Sequence, residues 1–267
     1  MQMTLKHMDI ALERANEINA RGDALLELFA ARWKAARAPD DRLAILALRS
    51  ALLDYLAACH VLGNTEQFKT VCNALLDHAE AFAKKFKPVT EILLVELSLA
   101  VLSKRRALAR SLAKVVLNAG NSIGCVTLDS FQAQALARLL DLDYAGVHVV
   151  ATGLWEAGAA KRFNKITHKR ALFWAEAIDE LAKGRGEEAA TQSEQIQQLN
   201  INSVDRDLAK LKRGGASAFA PFDMFDLPTA ALNTLIEAFG YRLPPLSEAA
   251  LACGYGLGLN QHTQQAG

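Results

Sequence analysis

The chain has 267 residues, of which 51% are hydrophobic, 22% charged and only 7% aromatic. Thirty basic side chains against twenty-nine acidic ones leave a formal charge of +1, which excludes an overall pull toward nucleic acid or anionic lipid and confines any such binding to local patches. The length allows one large domain or two modest ones, and an apolar content made mostly of alanine and leucine favours helices over strands.

From the N-terminus, Thr4 is placed to cap a helix whose apolar positions Leu5, Met8, Leu12, Ala15 and Ile18 recur at three and four. The same spacing runs on through Leu25, Leu26, Phe29 and Trp33 after a break at Gly22. Lys6, Asp9, Glu13 and Arg14 interrupt this region, so no secretory leader is expected. Pro39 to Asp41 end the run, and a third helix from Leu43 to Leu62 stops at Gly63. Asn64 to Gln67 start a fourth helix, which Pro88 closes. Next comes a buried helix from Thr90 to Leu102; its most apolar part, Ile92 to Leu102, is about half the length a bilayer requires.

The following boundary decides how Arg105 is read. In a single straight rod over residues 92–116, turning about 100° per residue, Arg105 falls in the apolar stripe between Leu112 and Val116. A buried, unpaired guanidinium there is too costly. If Ser103 caps a new helix instead, Arg105 sits in an exposed first turn, and Arg106, Arg110 and Lys114 form a solvated stripe opposite Leu108, Leu112 and Val115.

That boundary exposes a rhythm. Leu62, Leu102, Leu140 and Leu181 each end a helix ahead of a short polar turn, at intervals of 40, 38 and 41 residues, a period that belongs to stacked helical hairpins. Ala119 to Ser130 reads as a loop, with Asp129 or Ser130 capping the next helix, and Gly214 to Pro228 as a second irregular stretch. No strand-like alternation persists. The expected fold is all-α, a compact array of about ten to twelve helices in hairpins, either an irregular bundle or loosely solenoid-like. It forms one domain over residues 1–259, with a possible subdivision near 119–130 and a disordered tail at 260–267.

None of the constellations tested assembles a reaction. The six histidines never pair at helical spacing. Cys59, His60, Cys72 and His78 can converge across one hairpin, but read more simply as two core cysteines and two surface histidines. Cys125 and Cys253 add no CxxC, which fits reduced thiols in the cytoplasm. The carboxylate neighbours Asp40 and Asp41, Asp141 and Asp143, Glu187 and Glu188, and Asp205 and Asp207 all read as turn or helix-start residues. The glycines of GYGLG, 254–258, follow a helix rather than a strand, so they read as helix termination and not as a dinucleotide fingerprint. No catalytic residue, metal or cofactor is expected. Lys161, Arg162, Lys165, Lys169 and Arg170 around Phe163 form a candidate anion-binding patch. Glu176, Asp179, Glu180, Glu187 and Glu188 form the acidic group behind it, and Phe222 and Phe225 in AFAPFDMF are either docked on the core or offered to a partner.

Two stretches, ILLVELSLAVLSKRRALARSLA and FDLPTAALNTLIEAFGYRLPPLSEAAL, resemble the all-helical immunity proteins of bacterial polymorphic toxin systems, specifically the immunity protein 49 family. The resemblance implies a non-enzymatic protein that binds and neutralises a cognate toxin, often a nuclease, in the cell that makes it. On that reading, the acidic group would meet a basic toxin cleft and the Phe222 to Phe225 loop would supply an anchor. Two other classes stay open: an adaptor of tetratricopeptide or HEAT type with a concave peptide groove, and a nucleic-acid binder using Lys161 to Arg170. An enzyme ranks last, and no membrane partner is expected.

Overall fold

Every regular element is helical in the computed structural model, which describes residues 5–35, 41–86, 90–123, 127–160, 164–213 and 220–259. In chain order the helices are α1 (Met8–Asn19), α2 (Gly22–Ala35), α3 (Asp41–Val61), α4 (Thr65–Leu76), α5 (Ala79–Phe86), α6 (Thr90–Leu102) and α7 (Arg106–Ile123). They continue with α8 (Leu128–Leu140), α9 (Tyr144–Ala159), α10 (Lys165–Ala182), α11 (Gly186–Lys212), α12 (Leu227–Ala238) and α13 (Glu248–Ala252). A 3-10 turn at Pro221–Met224 precedes α12. Among the described residues, twelve helices have eight or more residues and α13 has five; the fold is all-α, as the composition favours.

Four hairpins, α3–α4, α6–α7, α8–α9 and α10–α11, turn through one shared geometry. Gly63, Lys104, Leu142 and Gly184 take left-handed backbone, with φ of 69°, 56°, 59° and 76°. The next N–H then reaches back to the end of the preceding helix: Asn64 to Cys59 O at 2.8 Å, Arg105 to Ala100 O at 3.0 Å, Asp143 to Arg138 O at 2.9 Å and Arg185 to Glu180 O at 2.9 Å. This closure satisfies carbonyls that a helix end leaves unpaired. Glycine adopts it freely, whereas a residue with a side chain gives up about 1–2 kcal/mol. The leucine rhythm is therefore a repeat of turn geometry.

At the position after the turn, Asn64 and Asp143 cap the following helix, accepting from Gln67 N at 3.2 Å and Gly146 N at 2.9 Å. Arg105 stands in the same place. Its Nη1 donates to Asp77 Oδ1 and its Nη2 to Asn73 Oδ1, each at 2.7 Å. The boundary falls where the cost of a buried guanidinium demands, but Ser103 is not the cap: its hydroxyl donates back to Leu99 O at 2.7 Å. Arg106, Arg110 and Lys114 are exposed and Leu112 is buried on the opposite face.

From α6 to α11 each helix packs on the next, and α6, α8 and α10 also meet as alternate members of one layer. α12 lies across α6 and α8 and continues onto α11. Its residues from Thr229 to Ile236 are all buried, so it is enclosed on every side. α1 packs on both α3 and α11, and the 3-10 turn does the same, so the first and last hairpins are joined and the array closes on itself. Trp174, Tyr255, Leu52, Leu56, Leu97 and Leu136 are among its fully buried side chains.

Several expected boundaries move. The helix expected from Asn64 to Pro88 is two, α4 and α5, because the chain breaks at Asp77, whose carboxylate serves Arg105. α7 extends to Ile123, into the stretch expected as a loop. Thr127, rather than Asp129 or Ser130, caps α8: its Oγ1 accepts from Ser130 N at 3.1 Å while Ser130 Oγ accepts from Thr127 N at 3.0 Å. Asp205 and Asp207 lie inside α11, and Asp205 Oδ1 accepts the Lys6 N–H at 2.9 Å. Gly254 and Gly258 are left-handed, as helix-terminating glycines are. Thr4, Pro39, Asp40, Pro88 and the tail at 260–267 lie outside the described residues. Among those described, α3 alone is long and apolar enough to span a bilayer, with a mean hydropathy of 1.4; it packs against α1, α2 and α4.

Candidate functional site

The acidic group divides. Asp179 is buried, accepting from His148 Nδ1 at 2.8 Å and from Lys183 Nζ. Burial works to raise its pKa, but the bonds from Lys183 and His148 prevail and hold it below the usual carboxylate range. Glu180 is half-buried and clasped by both guanidinium arms of Arg185, which, with Lys183, lowers its pKa as well. Glu176 is half-buried on α10, while Glu187 and Glu188 stand exposed in the first turn of α11, where the helix dipole favours them. Two of the five are therefore internal ion-pair partners, and two face solvent.

The basic stretch divides too. Lys161 and Arg162 lie outside the described residues, and Lys165 and Lys169 are exposed. Arg170 turns inward, donating from Nη2 to Asp226 Oδ2 at 2.7 Å. Of the aromatic pair, Phe225 is buried and meets the edge of the His60 ring at 5.1 Å between centroids. Phe222 packs partly buried beside it, at 6.3 Å.

Sequence reasoning missed the network around Asp226, whose side chain is 1% exposed. Besides Arg170, its Oδ2 accepts from Thr229 Oγ1 at 2.8 Å and from the hydroxyl of fully buried Tyr255 at 3.1 Å. Its Oδ1 caps α12 through Thr229 N at 3.3 Å, and Trp174 Nε1 donates to Thr229 Oγ1 at 3.2 Å. The charge on Asp226 raises the Arg170 pKa, while burial and the same charge push the Tyr255 hydroxyl well up. These groups span α10, α12 and the chain after α13, so no local spacing could have signalled them. Arg49 and Glu96 make a second such tie, a two-armed bridge between α3 and α6. Both are enclosed and join elements of the fold to one another.

Cys59, Cys72 and Cys253 are buried and unbridged. Burial pushes the Cys59 thiol up to about 11 and Cys253 up to about 12, which keeps them protonated and poor nucleophiles. The histidines beside Cys59 and Cys72 are partly buried rather than free surface groups: His60 Nε2 lies 2.9 Å from Leu251 O, and His78 stacks on Trp33 at 4.8 Å. No metal-binding group of three or more side chains occurs among the described residues.

Three clefts lie at the edge that carries the hairpin turns. A cleft of about 340 Å³ opens between α4 and the α6–α7 turn, lined by Phe68, Cys72, Arg105 and Leu257. One of about 450 Å³ follows between the turns at Lys104 and Leu142, and one of about 400 Å³ between Tyr144 and Gly184. Gly258 borders the first two and Phe239 the last two, so the three form a row. Each is lined by apolar side chains together with at least one cation: Lys69 and Arg105 in the first, Lys104, Arg106 and Arg110 in the second and Lys183 in the third. No protein-family model, curated protein or solved structure matches this chain.

Proposed function

We propose that the protein acts by contact, as a non-enzymatic immunity protein that neutralises a toxin in the cytoplasm of the bacterium that makes it. The observation that carries this reading is the place of α12. A helical adaptor needs the concave face of its hairpins open to a peptide, and here α12 lies across α6 and α8 with Thr229 to Ile236 buried. A closed body offers its outer surface and its turn edge.

Exposed charge of both signs suits recognition and fast association: Glu187 and Glu188 at the head of α11, and Arg106, Arg110 and Lys114 along α7. Nucleic acid is less well served, because Arg170 of the basic stretch is engaged by Asp226. The test is capture of partners from the native host, followed by expression of each captured protein alone and with this chain. A captured protein that arrests growth alone and is silenced by this chain supports the reading; capture of only harmless proteins rejects it.

A further inference from the structure

We propose that the cleft between the α6–α7 and α8–α9 turns docks an acidic segment of a partner protein that carries an apolar side chain. The inference rests on the contact reading above and says where contact falls. The floor is apolar, made by Val101, Ala109, Leu139 and Leu235, all buried. Around it stand Arg106 and Arg110, both exposed, and neither forms an ion pair with a described residue, while Lys104 and the one carboxylate of the lining, Glu237, are each already engaged. Two exposed guanidinium groups with no ion-pair partner among the described residues, beside an apolar floor, ask for carboxylates flanking a hydrophobic side chain.

The α8–α9 turn, which also lines the cleft, supplies the second observation. Leu142 is 57% exposed and holds a left-handed backbone, φ 59°. The sister turns at positions 63 and 184 do the same backbone work with glycine. A bulky leucine there is held against both backbone preference and water, and strain of this kind gathers where a side chain is needed by something else. Two residues on, Tyr144 is 42% exposed and lines the next cleft of the row. A row of clefts with apolar anchors between them fits an extended polypeptide. A phosphate backbone would use the arginines but gain nothing from Leu142 or the floor.

The test is fluorescence polarisation with the purified full chain and four labelled probes: a synthetic peptide with Leu-Phe between runs of Glu, the same core between runs of Lys, a Glu-rich peptide with a Gly-Ser core, and a short single-stranded oligonucleotide. The acidic Leu-Phe peptide should bind best. Arg106→Glu with Arg110→Glu should raise its Kd about tenfold or more, and Leu142→Gly should weaken binding about tenfold, as losing a hot-spot side chain does. The melting temperature of Leu142→Gly should hold or rise, which separates lost contact from lost fold. The cleft is wrong if the acidic peptide does not bind, if the Lys peptide or the oligonucleotide binds as well, or if the variants leave Kd unchanged. A captured toxin that binds the double arginine variant as tightly as the unaltered chain would also remove the cleft while leaving the contact reading intact. Absence of any toxic partner would remove that reading whatever the peptides do.

Discussion

Arg170 of α10 and Asp226 at the head of α12 meet at 2.7 Å across 56 residues of chain, with the carboxylate inaccessible to water. Asp226 also holds Thr229, Tyr255 and the first turn of α12, so it gathers the enclosed helix and the C-terminal segment onto the hairpin layer. Asp226→Ala strands a guanidinium and two hydroxyls and should cost about 3–5 kcal/mol. Arg170→Ala should cost less, because Asp226 keeps three donors. Urea unfolding of both variants checks this, read from midpoints at an unchanged slope.

His60 gives stability a pH dependence. Burial lowers its pKa, and the neutral ring donates from Nε2 to Leu251 O. The unfolded chain therefore takes up the proton first, and the stability His60 contributes is present above about pH 6.5. It is lost as pH falls through that value toward the folded pKa. His78 is lowered in the same way. The urea midpoint should decline between pH 7 and 5 and decline less in His60→Gln. A second loss belongs to Asp143, Asp179 and Glu180, whose depressed values give stability present above about pH 4 and lost below it.

The shared turn geometry ranks substitutions by backbone alone. At Gly63 an added Cβ meets nothing within 4 Å, so Gly63→Ala should cost about 1 kcal/mol through φ and nothing through packing. Lys104→Gly gains the same backbone relief but gives up the side chain's own contact, so its gain should be smaller. Thermal denaturation of the pair measures both.

Arg105→Ala should change stability by less than about 1 kcal/mol, since a half-exposed ion pair with Asp77 is worth little. A burial deep in the apolar stripe, as one straight helix over residues 92–116 would require, would instead make the change large and sensitive to the substituted side chain.

The helix boundaries were readable where local chemistry marks them. Gly63, Gly184, Asn64 and the apolar block ending at Leu102 all carry such marks, and α6 begins and ends where the sequence places it. Lys104 and Leu142 occupy the same left-handed turns with no local sign, and only their spacing from the glycine turns reveals them. The closing contacts left no trace at all. His60 meets Leu251 across 191 residues, and Arg170 meets Asp226 across 56. Counting charges likewise could not separate buried Asp179 from exposed Glu187, because burial is set by which neighbour a helix faces. The turn-edge clefts were invisible for the same reason: each is made by residues from separate hairpins.

Neutralisation by contact has a stoichiometric signature. The decisive measurement is a titration of the activity of the proposed toxic partner, purified, with the purified chain, with the mass of both proteins recorded afterward. Contact alone requires activity to fall in proportion to added chain, to reach its floor at a fixed molar ratio, and to leave both masses unchanged. Progressive loss of activity at a small fraction of that ratio, or an altered partner mass, would show that the chain performs chemistry and would contradict the proposed role as an inert binding surface.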